Sequence, residues 1–264
     1  MEKSLREIKK ELVEICHIMH QKGFISATDG NLSVKISSNR ILITASGINK
    51  GFMKESDIIT IDTDGKPIGT SLKPSSEMRM HLIAYKLRED VKAVIHAHPT
   101  ACTACSVAEV SLAKCILPEV VMTLGMIPTA GYATPGTGEI ADIIGNLIKN
   151  YDAMILDRHG TLTLGKDLVT AYNHLEKMEY VANVTLFARQ LGTEKFLEEK
   201  EVNRLITMGK KLGLNPGPVS CQGCGACGRK EGLPFKTKSL NSNPLITDEE
   251  KLVQEIIRKI ENLH

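Results

Sequence analysis

One segment constrains the fold and the chemistry more than any other, and its sequence is Ala93-Val-Ile-His-Ala-His-Pro99. Its apolar residues predict a short strand that carries two histidines at positions i and i+2. Because alternate side chains of an extended chain point to the same face, His96 and His98 are expected to converge, about 7 Å apart along the backbone. Neutral imidazole is the commonest metal ligand, so this pair offers two of the three protein ligands of a catalytic zinc. The alternative is a pair of histidines at a sheet edge, bonded to backbone groups or water.

Two further segments favour the metal interpretation. The first, Pro74-Ser-Ser-Glu-Met-Arg-Met-His81, predicts a helix over 75–87 with Glu77 in its first turn. The second, Met154-Ile-Leu-Asp-Arg-His-Gly160, predicts a strand that ends in a histidine. A carboxylate and three histidines suit Zn²⁺ with one coordination position left open. His81 is a candidate for a further ligand, but a packed, hydrogen-bonded helix residue is the favoured interpretation.

Together with the turn-rich segments 27–33 and 45–47, these segments resemble the class II aldolase/adducin family, and within it the zinc-dependent aldolases of L-fuculose 1-phosphate. Five motifs match in the family order over residues 5–212. The resemblance implies reversible cleavage of a ketose 1-phosphate to dihydroxyacetone phosphate and an aldehyde, which is L-lactaldehyde for L-fuculose 1-phosphate. It also implies one Zn²⁺ per subunit, bound by His96, His98 and His159. In the family pattern, Glu77 ligates the resting zinc, is displaced by substrate and then acts as general acid/base.

The resemblance further implies a phosphorylated sugar as substrate and a homotetramer with active sites at subunit interfaces. A phosphate group requires backbone amides, hydroxyl groups or a helix N-terminus. Three loops offer such groups, although each alone is also an ordinary turn. The residues carried over as phosphate- or substrate-binding are Thr28, Gly30, Asn31, Ser46, Gly47, Ser75 and Ser76.

The chain departs from the family pattern at the residue that handles the leaving aldehyde. The family aldolase carries a tyrosine there, supplied across a subunit interface, whereas this chain has Met122 nearby and no tyrosine before Tyr132. A second, C-terminal tyrosine of the family has no clear match. The related sugar-phosphate 4-epimerases have aspartate in place of Glu77 and a second aspartate before the glycine matching Gly125, so aldolase is favoured over epimerase. An aldolase of 5-deoxyribulose 1-phosphate and a non-catalytic adducin-like scaffold also stay open.

Composition excludes several other classes of protein. The chain has 264 residues, a net charge of +2, five Phe, five Tyr and no Trp, which does not favour a nucleic-acid partner. No segment approaches the roughly 18–20 apolar residues of a membrane span, and the charged N-terminus is not a signal peptide. We therefore expect a cytoplasmic protein without a membrane partner. Four cysteines in apolar surroundings are expected to be core residues. They are Cys16, Cys102, Cys105 and Cys115.

The order of predicted elements favours an α/β fold with a mostly antiparallel sheet. A capping box at Ser4 begins a first helix, and hairpins are predicted after 58–62 and between 154–156 and 161–164. Residues 120–124 predict another strand, and further helices follow, among them a long helix from Leu168 to about Gln190. Hairpins argue against a purely parallel sheet, so the expected architecture is a three-layer α/β/α fold, which the resemblance also implies. This domain is predicted over residues 1–214.

A Cys-rich motif lies in a predicted linker over residues 215–244, which is rich in Gly, Pro, Ser and Lys. Its sequence is Ser220-Cys-Gln-Gly-Cys-Gly-Ala-Cys-Gly228. The C-x2-C-x2-C spacing is typical of loops that bind an iron–sulfur cluster or a second Zn²⁺, here through Cys221, Cys224 and Cys227. Three thiolates are one fewer than a closed site of four cysteines, so a flexible loop of reduced thiols stays open as the alternative.

The last segment, residues 245–264, predicts an amphipathic helix. A capping box over 247–250 precedes apolar residues that fall on one helical stripe. Such a short helix requires a partner to be stable. It resembles the C-terminal peptides that carry enzymes into bacterial microcompartments, which suggests a shell protein as its partner. The alternative is a helix that packs on its own tetramer.

Overall fold

The computed structural model describes residues 3–134 and 139–219. Within these ranges there are seven α-helices and eight β-strands. The helices are α1 (Leu5–Gln21), α2 (Met78–Leu87), α3 (Thr100–Val107), α4 (Pro118–Thr123), α5 (Glu139–Ile148), α6 (Leu168–Gln190) and α7 (Glu199–Lys211). The strands are β1 (Asn31–Ser37), β2 (Arg40–Thr44), β3 (Ile58–Ile61), β4 (Pro67–Ile68), β5 (Ala93–Ala97), β6 (Thr129–Ala130), β7 (Ala153–Leu156) and β8 (Gly160–Gly165).

All eight strands form one sheet in the order β4-β3-β2-β1-β5-β8-β7-β6. Every neighbouring pair is antiparallel except β6 and β7, which are parallel. Both predicted hairpins are present, as β3–β4 and β7–β8. The prediction of a mostly antiparallel central sheet is confirmed.

Helices cover both faces of this sheet because successive side chains of a buried strand point to opposite sides. Ile43 and Val94 share a core with residues of α2 and α5. Their neighbours Leu42, Ala93 and Ile95 share a different core with residues of α1 and α6. The three-layer α/β/α architecture is therefore confirmed, and the side chain of His96 shares the strand parity of Val94.

The prediction of a strand at 120–124 is wrong, because this segment forms α4 (Pro118–Thr123). Pro118 stands at the first helical position, where its fixed φ favours a helix and its missing N–H is no loss. Val121 packs into a small core with Val202 and Leu205 of α7. A short apolar run cannot be assigned to strand or helix by periodicity alone, and here contact with α7 decides.

The termini of the chain lie partly outside the described residues. The chain divides into two units, Met1–Gly232 and Leu233–His264, and the second lies wholly outside them. The predicted boundary at 214, the Cys-rich motif and the helix at 245–264 therefore stay predictions. No helix in 3–134 or 139–219 has the length and apolar character to cross a membrane. The four cysteines predicted to be core residues are buried.

Candidate metal centre

Three separate parts of the chain supply the four predicted metal ligands. His96 lies in the central strand β5, and His98 follows directly after that strand. His159 lies in the turn between β7 and β8, and the pairing of Ala97 with Thr161 holds this turn beside the end of β5. Glu77 is the N-cap residue of α2. The prediction that Glu77 lies in the first turn of a helix beginning at 75 is therefore wrong, since the helix begins at Met78.

The structure brings the side chains of these four residues together. Glu77 Oε2 lies 3.2 Å from His96 Nε2, and Glu77 Oε1 lies 2.9 Å from His159 Nε2. His96 Nε2 and His98 Nε2 are 2.9 Å apart. One potential ligand atom from each of the four residues lies within 4.8 Å of all the others. Two ligands of a tetrahedral zinc are about 3.4 Å apart, since each lies about 2.0–2.1 Å from the ion. The spacing therefore suits a single ion.

A hydrogen bond to the backbone turns the Nε2 of His96 towards the centre. His96 Nδ1 lies 2.8 Å from the carbonyl oxygen of Thr161, which can only accept a hydrogen bond. Nδ1 therefore carries a proton, and Nε2 is the ring nitrogen that faces Glu77 and His98 and is available to a metal. Burial, reinforced by His96 and His159, lowers the pKa of His98 to about 4. His98 is thus neutral near pH 7, the state in which imidazole binds metals.

Glu77 is held as a carboxylate. Burial acts to raise its pKa, but contacts with the His159 and His96 imidazoles outweigh burial and hold the pKa of Glu77 well below its usual range. Asn31 Nδ2 also donates to Glu77 Oε2 over 3.0 Å. One carboxylate and three imidazoles are the donor set that borderline cations such as Zn²⁺ prefer. The residues present fit a zinc ion.

Two of the three predicted phosphate loops lie next to each other. Ala45 forms a β-bridge with Pro74, and the N–H of Ser46 donates to the carbonyl of Lys73. This pairing places the loop of Ser46 and Gly47 beside the loop of Ser75 and Ser76. The hydroxyl of Ser75 accepts from the N–H of Glu77 over 3.3 Å, so this loop also begins the segment that carries the carboxylate.

The third loop lies against the metal ligands. Gly30 has a φ of +67°, and a Cβ there would lie 2.9 Å from the carbonyl oxygen of His96, so only glycine fits this close approach without strain. The Asn31 side chain is 2% exposed and is turned towards Glu77 and His81. Thr28 is exposed, and its carbonyl accepts a hydrogen bond from Lys50.

Lys50 is a residue that sequence reasoning missed. Its side chain is buried, and Nζ donates to the carbonyl oxygens of Thr28 and Ile48 over 2.9 Å each. It therefore ties this third loop, at Thr28, to the segment that follows Gly47. Burial lowers the pKa of Lys50, while negative groups around it, Asp29 and Glu77 among them, oppose that shift. A single lysine carries no pattern in the sequence that indicates burial.

Other predicted candidates fall outside the centre. His81 is buried and bonded to Ser33 and Asn31, in agreement with the favoured interpretation of a packed helix residue. Tyr132 is exposed, and the guanidinium carbon of Arg158 lies 5.0 Å from the centre of its ring. Met122 lies in α4, where its carbonyl oxygen lies close to Gly209 of α7.

The chain thus combines a three-layer α/β/α fold with a cluster of one carboxylate and three histidines that is compatible with one metal ion. The family described as Class II Aldolase and Adducin N-terminal domain matches residues 10–186. The chain belongs to the class II aldolase and adducin family, and the resemblance seen in the sequence is confirmed.

Individual relatives of the chain carry two kinds of name. An L-fuculose phosphate aldolase of Methanococcus vannielii is 37% identical over 175 residues, which cover 66% of this chain and 93% of that protein. A 3-oxo-tetronate 4-phosphate decarboxylase of Haemophilus influenzae is 30% identical over 206 residues, which cover 76% of this chain and 97% of that protein. A solved structure of an L-fuculose 1-phosphate aldolase superposes with a TM-score of 0.72 at 32% identity, covering 80% of this chain and 98% of that chain.

Proposed function

We propose that this chain is a zinc-dependent aldolase that reversibly splits L-fuculose 1-phosphate into dihydroxyacetone phosphate and L-lactaldehyde. The observation that carries the proposal is the convergence of Glu77, His96, His98 and His159 within 4.8 Å in a chain of the class II aldolase family. The names of the relatives from Methanococcus vannielii and of the superposed structure support the choice of substrate.

The proposed chemistry divides the work between the ion and Glu77. Breaking the carbon–carbon bond beside the ketone leaves an enediolate, and a zinc ion held by the three histidines would supply Lewis-acid stabilisation of its negative charge. Glu77 delivers a proton to the carbon of the dihydroxyacetone phosphate half in cleavage and removes it in synthesis. A second proton must also move during cleavage, because the hydroxyl group that becomes the aldehyde has to lose its proton.

A decarboxylase of a 3-oxo sugar acid 4-phosphate is the second candidate. Loss of carbon dioxide from such an acid gives the same enediolate and, after protonation, the same dihydroxyacetone phosphate. Carbon dioxide leaves from a carboxylate, so this reaction needs no residue to move a proton at the leaving oxygen. The observation that favours it is Met122 near the position of the family tyrosine, together with the relative from Haemophilus influenzae. Sequence reasoning did not consider this reaction.

An adducin-like scaffold, a 4-epimerase and a 5-deoxyribulose 1-phosphate aldolase have less support. A scaffold has no need of the convergent ligands, and Glu77 stands where the related 4-epimerases have aspartate. An aldolase of 5-deoxyribulose 1-phosphate would use the same ligands and differ only in the aldehyde. A panel of substrates separates these reactions.

The phosphate of the substrate is assigned to the three loops described above. The adjacency of two of them across the Ala45–Pro74 bridge supports this assignment, as does the buried charge of Lys50 behind the third. The proposed residues are Thr28, Gly30, Asn31, Ser46, Gly47, Ser75 and Ser76.

The assembly and the C-terminal segments are proposals from the sequence. We propose a homotetramer, a metal cluster or second Zn²⁺ at Cys221, Cys224 and Cys227, and a microcompartment shell protein as the partner of residues 245–264. Light scattering tests the first, and iron, sulfide and zinc analysis of anaerobically purified protein tests the second. A fluorescent protein fused to 245–264 and co-expressed with the shell tests the third, and diffuse fluorescence would contradict it.

The function is tested by two assays on the zinc-loaded protein. One measures release of dihydroxyacetone phosphate from a panel of ketose 1-phosphates, and the other measures carbon dioxide from 3-oxo-tetronate 4-phosphate. We expect activity with L-fuculose 1-phosphate that a chelator removes and zinc restores. Carbon dioxide release in its place would establish the second candidate, and inactivity in both assays would contradict both.

Three variants test the assigned roles. We expect Glu77→Gln to keep zinc and lose at least about a hundredfold in turnover, because the amide cannot carry the proton. His98→Ala should lose zinc, whereas the control His17→Ala, in α1, should keep both zinc and activity. Full turnover in Glu77→Gln would remove the assignment of the acid/base.

A further inference from the structure

We propose that His81 is a positioning residue, which fixes the direction of the Asn31 amide and through it the orientation of the Glu77 carboxylate. Its effect on catalysis rests on the proposed function, but the hydrogen-bond chain itself does not. Four buried side chains and the carboxylate form this chain in the order Tyr85–Ser33–His81–Asn31–Glu77.

The chain is continuous, and its four members behind Glu77 are buried. Tyr85 Oη lies 2.7 Å from Ser33 Oγ, which lies 2.7 Å from His81 Nδ1. His81 Nε2 lies 2.5 Å from Asn31 Oδ1, and Asn31 Nδ2 lies 3.0 Å from Glu77 Oε2. Exposure is 0% for Ser33 and His81, 2% for Asn31 and 4% for Tyr85.

Only one set of bond directions in this chain is compatible with the carboxylate. A carboxylate oxygen only accepts, so the Asn31 NH2 group must face Glu77 and the Asn31 carbonyl must face His81. His81 therefore carries its proton on Nε2, and its Nδ1 accepts the hydroxyl proton of Ser33. Ser33 Oγ in turn accepts the proton of Tyr85. Every bond has one donor and one acceptor, and all of them point towards Glu77.

His81 is neutral in this arrangement, as the chain requires. Burial lowers the pKa of His81 to about 3. The opposite neutral tautomer would place a lone pair against the Asn31 carbonyl and turn the amide over. An amide oxygen would then face the Glu77 carboxylate at 3.0 Å, where two acceptors repel each other. The tautomer of His81 thus selects one orientation of Asn31.

The function of this chain is to hold one carboxylate oxygen while the other stays adjustable. Glu77 Oε2 is held by Asn31 and lies beside His96, whereas Oε1 lies 2.9 Å from His159 Nε2. A carboxylate that must move a proton to carbon depends on its position, because a displacement of about 1 Å reduces turnover by about a hundredfold. Ser33 donates to Nδ1 of His81, and Tyr85 donates to Ser33. Both therefore favour the His81 tautomer with its proton on Nε2.

The first test reads the tautomer directly and needs no substrate. The full-length zinc-loaded protein, labelled with ¹⁵N in its histidines, is studied by NMR, and the His81 signals are assigned by their absence in His81→Gln. We expect a neutral His81 with the proton on Nε2, unchanged between about pH 5 and about pH 8. A proton on Nδ1, or a charged ring near pH 7, would overturn the proposal.

The second test isolates the proton step from carbon–carbon cleavage. In deuterium oxide, a carboxylate base breaks one C–H bond at the hydroxymethyl carbon of dihydroxyacetone phosphate, exchanges the proton with solvent and returns deuterium to the same carbon. We expect Ser33→Ala and His81→Leu to slow this exchange about tenfold to a hundredfold, with unchanged zinc content and little change in KM. His81→Gln, which keeps a donor and an acceptor, should recover part of the rate.

A matched control distinguishes positioning from loss of packing. Thr185→Val removes a buried hydroxyl group in α6 that donates only to the carbonyl of Val181, so it should leave exchange unchanged. If His81→Leu does not fold, Ser33→Ala decides alone. Wild-type exchange rates in a folded Ser33→Ala protein would overturn the proposal. If the wild-type protein exchanges no proton at all, the proposed function fails, and the NMR result still decides on the chain.

Discussion

Gly160 has no space for a side chain. A Cβ there would lie 2.3 Å from the carbonyl oxygen of Ala97 and 2.6 Å from Cδ2 of His98. The first strand residue after His159 therefore passes directly against the backbone and the ring of the HxH segment. Because two ligands lie on the two sides of this contact, the absence of a side chain at Gly160 sets how closely they approach.

We expect Gly160→Ala to weaken zinc binding by about tenfold to a hundredfold, because the added methyl group displaces the His98 ring. Competition with a chromogenic chelator measures the affinity. The control is Gly131→Ala, where the nearest atom to an added Cβ is 3.9 Å away and zinc affinity should not change. Equal affinities in both variants would contradict this account.

Acid should destabilise the protein through His81. Its folded-state pKa is lowered to about 3 from 6.5 by burial, so between these values the unfolded chain binds more protons than the folded one. The stability that His81 contributes above about pH 6.5 is therefore lost as the pH falls, by up to about 1.4 kcal/mol per pH unit.

Urea titrations of wild type and His81→Gln from about pH 7 to about pH 4 test this slope. The comparison is needed because the pKa of His98 is also lowered, to about 4, and contributes in the same direction. We expect a shallower loss of stability in the variant. Parallel slopes would show that His81 binds its proton in the folded state.

At the residue scale, the sequence predicts the placement of side chains that follow the period of a strand or helix. It does not predict the burial of isolated polar residues. The convergence of His96 and His98 follows from the two-residue period of a strand. The burial of Lys50 and of Ser33 follows from which loops and helices cover them, and no local pattern encodes that. Distances between ligands likewise depend on long-range pairing.

At the scale of elements, length and capping decide which predictions hold. Helix α6 matches its predicted bounds because a long periodic pattern follows Asp167, whose side chain caps the helix by accepting from Thr170. Helix α4 has only six residues and contains a Val-Val pair, so its local sequence has little preference for helix. Its contact with α7 decides the structure of this segment. A short element that depends on contacts with its neighbours is therefore the kind whose type, helix or strand, is hard to predict from local sequence.

Helix α5 contains a glycine, Gly145, whose replacement by alanine should stabilise the folded protein. A Cβ at Gly145 would lie 3.8 Å from Leu87 Cδ1 and 4.0 Å from Ile83 Cδ1, which are ordinary contacts with α2. Gly145→Ala should raise the free energy of unfolding by about 0.5–1 kcal/mol, because alanine loses less backbone entropy in a helix. Thermal and urea unfolding measure this change, and a lower melting temperature would contradict it. Activity should not change.

At the scale of the molecule, the described part of the chain ends by returning to α4. The N–H of Gly217 donates to the carbonyl of Leu124 over 3.2 Å, and a Cβ at Gly125 would lie 2.3 Å from the carbonyl oxygen of Gly217. The first residues of the predicted linker thus pack on the domain that carries the family match. We infer that the stable unit includes residues beyond 214.

Two truncations test this inference. A chain of residues 1–219 should keep the melting temperature, zinc content and turnover of the full-length protein. A chain of residues 1–214 lacks the Gly217 contact and should be less stable by about 1 kcal/mol or more, because the Leu124 carbonyl loses its partner. Equal stability of the two would place the boundary at 214, and inactivity of 1–219 would show that residues 220–264 take part in catalysis.

The central position of β5 has a consequence for the balance between folded and unfolded molecules. Residue His96 pairs with Asn31 on one side and with Leu162 on the other, so the ligand pocket is assembled only after parts of the chain far apart in sequence have met. An unfolded chain offers no equivalent pocket, and a bound ion therefore favours the native state alone, by RT ln(1 + [ion]/Kd). The free concentration of the ion in the surroundings would thus control what fraction of the molecules is folded.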